Sequence, residues 1–381
     1  LLLCSATIGA SAIGIGLGAA PSAATGATRV AGHVGTTLPG MPPVLDQKNI
    51  YSADAPGDLS PAVRGDVAMI YVPDSNSDTV TEINPVTDKV VRTFVTGANP
   101  QHVVPSWDLK TLWVTNDIGN SLTPIDPKTG LPGPNVAVAD PYNMYFTPDG
   151  KHAIVVAERL KRLDFRDPHT MKLQHSVRVP CRGVDHIDFS ADGRYFIATC
   201  EFSGSLIKVD TAAEKVIGTL ALPEAGGMTA MPQDIKLSPD GQVFYVADMM
   251  SNGVYEVDGV RMRLIGFIHT GKGAHGLYVS RDAKDLYVSD RMEGAVSVID
   301  LATRRVVHKW VLPGGGSPDM GNVSANGKVL WLSGRYNSVA YAIDTRTGKL
   351  LAKIRVGPGP HGLAVWPEPG RYSLGHTGIL R

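Results

Sequence analysis

Residues 273–300 read GAHGLYVSRDAKDLYVSDRMEGAVSVID. Three short runs rich in Leu, Val, Tyr and Ile, at 277–279, 286–289 and 295–299, are separated by polar turns. Apolar, β-branched runs of this length bounded by turn residues form strands. A fourth run, RVVHKWVL at 305–312, follows the next turn. The segment is therefore expected to be a four-stranded meander, and it opens on an imidazole, His275.

The frame returns along the chain. Its opening recurs as NPQHVVPSWD from Asn99, DPYNMYFTPDG from Asp140, GVDHIDFSADG from Gly183, MPQDIKLSPDG from Met231, SPDMGNVSANG from Ser317 and GPHGLAVWPEPG from Gly359. Measured at Pro100, Pro141, Val184, Pro232, Ala274, Pro318 and Pro360, the spacing runs from 41 to 48 residues. Strands such as LWVTN and VFYVAD, then GSLIKVD and VAYAID, then KVIGTLAL and KLLAKIRV complete the copies. A period in this range with four strands per repeat is that of a propeller blade. The ends are complementary. AMIYVPD, DTVTEINP and KVVRTFVTG lack an opener, while GPHGLAVW is an opener without followers. One blade shared between the termini repairs both defects and removes open sheet edges. The fold class expected is all-β, a seven-bladed β-propeller of four-stranded antiparallel blades over residues 66–370, with 361–366 paired to 68–73.

The second strands IYVPD, LWVTN and LYVSD resemble those of the YVTN-repeat family of seven-bladed β-propellers, over roughly residues 66–370. The resemblance implies an exported or cell-surface binding protein. It also implies a fold similar to the haem-carrying propeller of cytochrome cd1 nitrite reductase and to that of nitrous oxide reductase. The family's motifs are structural and carry no catalytic residue over to this chain. Blade three departs from the pattern in RYFIATCEF, with Cys200 where other blades have Asp or Asn, and blade two in the basic turn of IVVAERLKRLDF.

The apolar, small-residue stretch at 1–24 reads as a cleaved secretory signal, its Gly and Ala content being poor for a membrane anchor. The protein is thus expected to be secreted or held in the cell envelope, with no membrane span after cleavage. Residues 25–65, rich in Ala, Gly, Pro and Thr, read as a linker, and 371–381 as a C-terminal tail. Lys+Arg and Asp+Glu are equal at 36 each, so nothing attracts the whole molecule to a polyanion, and nucleic-acid binding would need a local patch.

In a propeller the first strand lies nearest the axis, and its start shares a face with the end of the antiparallel second strand. The first position of this ring is Gln101, Tyr142, Asp185, Gln233, His275, Asp319 and His361; the next is His102, Asn143, His186, Asp234, Gly276, Met320 and Gly362. Second-strand ends add Asp74, Asn116, Asp248 and Asp290. The candidate ligand-binding residues are His102, Asp185, His186, Asp234, His275, Asp319, His361, Asp248 and Asp290, around one mouth of the channel. Two readings fit them. Polar residues there can satisfy loop backbone and channel water, or imidazoles beside carboxylates can hold a metal ion, an anion or a polar ligand. Asp126, Asp210, Asp258, Asp300 and Asp344, closing the third strands, are read as turn residues.

Cys181 and Cys200 fall at the top of blade three, and in an exported protein they are expected to form a disulfide. The rival reading is thiolate ligation beside His186, which makes His186, His275, His361, Cys181 and Cys200 the metal candidates. With Met228, Met231, Met249, Met250, Met292 and Met320 nearby, that metal would be copper or another transition metal; the same methionines also suit an adaptable contact surface. No Gly-x-Ser-x-Gly, His-Glu-x-x-His, phosphate loop or Cys-x-x-Cys-His occurs. The function expected is that of a monomeric, exported, non-enzymatic protein without a cofactor, binding a partner protein or small-molecule ligand at the His/Asp/Met-lined mouth. The alternatives are a copper-like or haem-associated metal-handling protein of the envelope and, more weakly, a polyanion binder. The last would use the arc of Arg159, Lys161, Arg162, Arg182, Lys272, Arg291 and Arg335.

Overall fold

A computed structural model describes residues 36–381; the signal segment expected at 1–24 and the first part of the expected linker, 25–35, lie outside the described residues. Blade five shows how one repeat folds. Its strands, Ala274–Val279, Asp285–Asp290, Ala295–Asp300 and Arg305–Val311, pair antiparallel in chain order. Turn chemistry sets the register. Ser280 Oγ donates to Asp282 (2.7 Å) and accepts the backbone N–H groups of Lys284 (3.1 Å) and Asp285 (2.9 Å). Ser106, Ser190, Ser238 and Ser324 make the corresponding bond in their blades. Asp300 accepts the Thr303 N–H (2.7 Å), and Asp126, Asp210, Asp258 and Asp344 close their turns in the same way.

Seven such four-stranded sheets form the fold, as the period requires. Burial grades outward. Inner strands such as Val184–Phe189 and Leu112–Asn116 are buried at every position, because neighbouring blades cover both faces. The outermost strand of blade three, Lys215–Ala221, alternates exposed and half-buried residues throughout, the period-two pattern of a sheet with one wet face. The seventh blade joins the termini. Met69, Ile70 and Tyr71 pair with Trp366, Val365 and Ala364, and Met69–Asp74, Thr79–Asn84 and Lys89–Val95 complete the sheet. Cys181 and Cys200 are disulfide-bonded, with Cα atoms 6.0 Å apart, inside an apolar cluster of blades two and three.

Two expectations need correction. Residues 36–65 are not a loose linker. Leu38, Ile50, Tyr51 and Val63 are buried, and Tyr51 Oη donates to the Leu237 carbonyl (2.6 Å), so the segment covers the base of the propeller, the face bearing the turns between first and second strands. The C-terminal residues are no free tail either. Residues 373–380 form a tight hairpin inside the channel, with Leu374 N–H on the Ile379 carbonyl (2.7 Å). The Phe146 N–H reaches the Leu374 carbonyl (2.9 Å), and the His376 N–H reaches that of Met144 (2.9 Å). Arg381 is paired with buried Asp188 (3.0 Å). Apolar Tyr372, Leu374, Ile379 and Leu380 gain burial there that a solvated tail would forgo. Gly375, at φ 107°, lies so close to the Tyr145 backbone that any Cβ would collide with it. Among the described residues no helix is long and apolar enough to cross a membrane.

Candidate functional site

A bulge in the first strand builds the axis. Pro100 pairs with Asn116 and Val103 with Val114, so three steps on one strand oppose two on the other. The same shift occurs between Val184 and Ile187, Pro232 and Ile235, Ala274 and Leu277, and Pro318 and Gly321. Each extra residue turns the two ring positions out of the ordinary alternation. A hydroxyl one residue before the end of the second strand holds the bulged amide. Thr115, Thr199, Ser289 and Ser333 accept the N–H of His102 (3.1 Å), His186 (2.9 Å), Gly276 (2.8 Å) and Met320 (3.3 Å). The Thr or Ser of LWVTN and LYVSD therefore serves the site as well as the blade.

Five imidazoles meet on this axis. Ring centroids lie 4.7 Å apart for His186 and His376, 4.8 Å for His102 and His361, 5.3 Å for His102 and His376, 5.6 Å for His102 and His186, and 6.0 Å for His275 and His361. None is more than 3% exposed, so the expected open mouth is a buried cluster. Within it, one ligand atom each from His102, His186 and His376 lies within 4.8 Å of the others, and the same holds for His275, Asp319 and His361.

Neighbours fix the rings. His102 Nδ1 is 3.0 Å from the Tyr142 carbonyl, which can only accept, so Nδ1 carries the proton and Nε2 presents a lone pair. His186 Nδ1 stands 2.8 Å from Asp185 Oδ1, and His376 sits between Asn143 (Nδ1, 3.1 Å) and Asp234 (Nε2, 3.8 Å). The Nε2 atoms of His102, His186 and His376 have no hydrogen-bond partner among the described residues. On the other side His275 Nδ1 and Arg291 Nη1 approach Asp319 Oδ1 at 3.1 Å and 3.0 Å, and His361 Nε2 is 3.7 Å from Oδ2. Burial pushes all five imidazoles below the ordinary histidine range, His186 to about 4. It pushes Asp185 well above the usual carboxylate range, with Asp234 adding to the effect. The folded state favours the neutral ring, so acidification through about pH 6 leaves these groups unprotonated. In protein labelled with 15N-histidine, five imidazoles are expected to keep neutral-ring signals down to about pH 5.5. Protonation of these five near the usual histidine pKa would contradict the buried cluster.

The other candidates lie elsewhere. Asp248 and Asp290 turn back into their own blades, where Asp248 accepts the Ser251 N–H (2.7 Å) and Asp290 takes Ser297 Oγ (2.6 Å) and the Gly271 N–H (2.8 Å). The ends of these second strands keep regular register with the third strands, without the first-strand bulge, and their carboxylates stay within the blade. Cys181 and Cys200 are not thiolate ligands, because their sulfurs are bonded to each other. Met320 Sδ accepts from Tyr278 Oη (3.3 Å) and Met249 Sδ from Arg291 (2.7 Å), while Met228 and Met292 are on the exposed surface. The basic arc is divided. Arg159 pairs with Asp140 and Asp117, Arg162 with Asp164 and Arg291 with Asp319. His376 belongs to the site and to no repeat. Its one sequence signal is the run YSLGHTGIL, too apolar to lie in water.

Fold and site together define a class, a closed seven-bladed propeller with imidazoles packed along its axis. The model of the YncE-like β-propeller family matches residues 58–369, and the chain belongs to that family. It is 24% identical to the protein YncE of Salmonella typhi over 279 residues, covering 68% of this chain and 75% of that one. Among solved structures it is similar to a functionally unknown protein of Desulfotomaculum acetoxidans (TM-score 0.65, 17% identity, 78% of this chain and 98% of that one). It is also similar to the dihydro-haem d1 dehydrogenase NirN (TM-score 0.60, 13% identity, 82% and 77%). At these identities the structural likenesses concern the fold.

Proposed function

We propose that this protein binds a transition-metal ion on the propeller axis, held by His102, His186 and His376. One observation carries the reading: three fully buried imidazoles from distant parts of the chain converge within ligand range, and all three Nε2 atoms lack hydrogen-bond partners among the described residues. A buried polar atom left without a partner costs about 1–3 kcal/mol, so an ion taking the lone pairs of His102 and His186, with His376 joining in its other tautomer, would relieve a standing penalty. Neutral imidazole suits Zn(II), Cu(II), Ni(II) and Fe(II). Three protein ligands leave a coordination position open. Asp234, beside His376, supplies negative charge for a cation. The soft, sulfur-ligated copper site is not supported, since both cysteines and Met320 are engaged elsewhere. Rings packed 4.7–5.6 Å apart leave space for an ion and none for a macrocycle between them. The setting proposed is the cell envelope, where the disulfide would persist.

Calorimetric titration of chelator-treated protein with Zn2+ tests the reading. It should show one tight site, with a dissociation constant at or below about 1 μM, an affinity of roughly 8 kcal/mol. Binding no tighter than that of surface histidines would refute it.

A second reading rests on the rim of the same face, where Ile118, Phe202, Met292 and Tyr336 are each roughly half or more exposed on the turns after the second strands. Such an apolar arc supports docking of a partner protein over the axis. Polar substitution of Phe202 and Tyr336 together should then abolish co-purification of that partner without changing Zn2+ uptake.

A further inference from the structure

The two halves of the axis differ in charge. Around His102, His186 and His376 stands Asp234. Around His275 and His361 stands Asp319, whose Oδ1 is taken by Arg291 (3.0 Å) and whose Oδ2 has no hydrogen-bond partner among the described residues, together with a second guanidinium, Arg335. Arg335 Nη1 donates to Ser75 Oγ (3.1 Å) and the Gly359 carbonyl (3.0 Å), neutral acceptors that leave its charge uncompensated. Arg291 is 8% exposed, and its Nε has no hydrogen-bond partner among the described residues; His361 Nδ1 has none either. Both guanidiniums bear on the two imidazoles and, after burial, help to hold them neutral.

A divalent cation between His275, Asp319 and His361 would add two positive charges beside two guanidiniums, Arg291 and Arg335. An anion would meet the opposite situation. It would find a guanidinium bonded only to neutral acceptors and, on Arg291, a buried N–H without a partner. His361 packs at 4.8 Å against His102, so an anion on this side lies next to one ligand of the proposed metal ion. We propose that the half formed by Arg291, Arg335, His275 and His361 binds a small oxyanion or pseudohalide-sized anion as co-ligand of that ion. The inference rests on the metal reading of the preceding section. The half-buried Arg335, between mouth and axis, supplies the attraction that draws an anion inward.

Co2+-loaded protein tests this, because its visible absorption reports ligand exchange at the metal. One equivalent of Co2+ should produce the absorption, and sodium azide in the millimolar range should shift it. Arg335→Gln protein should need at least about tenfold more azide for the same shift. Arg291 is buried and paired, so Arg291→Gln is used only where its circular dichroism matches wild type, and it should show the same weakening. A cobalt spectrum that azide leaves unchanged would overturn the anion site while leaving the metal site standing. So would a second Co2+ equivalent lost on His275→Ala, because it would make that half a cation site. Loss of the cobalt spectrum in Arg335→Gln would overturn the division of the axis into two halves. Wild-type protein giving no cobalt spectrum would refute the metal reading itself, and this inference with it.

Discussion

Replacing His376 by alanine is expected to weaken Zn2+ binding at least about a hundredfold. Loss of a residue that only orients a metal ligand typically costs ten- to a hundredfold, and His376 would supply a ligand atom directly. His102→Ala and His186→Ala should act to a similar degree, whereas His308→Ala, on the exposed outer strand of blade five, should leave binding as it was. His376 is the most informative of the three. It lies on the C-terminal hairpin, outside every blade, so its removal leaves the bulges at His102 and His186 untouched. The imidazoles lack Nε2 partners, so their truncation removes an unsatisfied group as well as volume, and the metal-free protein should keep its fold. Calorimetric titration with unchanged circular dichroism checks the result.

Trp366→Ala is expected to destabilise the protein by about 3–5 kcal/mol, the usual cost of emptying a large aromatic site. Trp366 is 1% exposed, pairs across from Met69, and donates from Nε1 to Asp66 (2.9 Å). It therefore packs at the joint where the C-terminal strand closes the ring on the N-terminal one, and its loss also leaves Asp66 without that donor. A lowered urea midpoint with the denaturant slope preserved would show the loss. An unchanged midpoint would mean that closure does not depend on this strand.

The ring of blades was legible because its determinants are local and repeated. Ser-x-Asp turns, Asp-closed third strands and apolar second strands recur in one frame, and each acts through bonds a few residues long. His102, His186, His275 and His361 could be placed near the axis for the same reason. That they are buried and touching was not legible, because it depends on the bulge and on hydroxyls such as Thr115 and Thr199, which read in sequence as ordinary strand residues. Asp248 and Asp290 share the end of the strand with the axial face, yet their side chains bond within the blade. The terminal segments misled for a compositional reason. Residues 36–65 carry the Gly, Pro and Ala of a linker and 371–381 lie past the last repeat, but Tyr51, Leu374 and Ile379 are buried against the barrel of inner strands. No period announces such a contact, so the fifth histidine of the site stayed out of view.

Anomalous diffraction from crystals of the protein loaded with one equivalent of Co2+ tests the central claim most directly. The account predicts a dominant peak on the propeller axis, within about 2.0–2.3 Å of a nitrogen from each of His102, His186 and His376, the range of first-row metal–imidazole bonds. A dominant peak on surface histidines such as His152 and His175, with the axis empty, would contradict it.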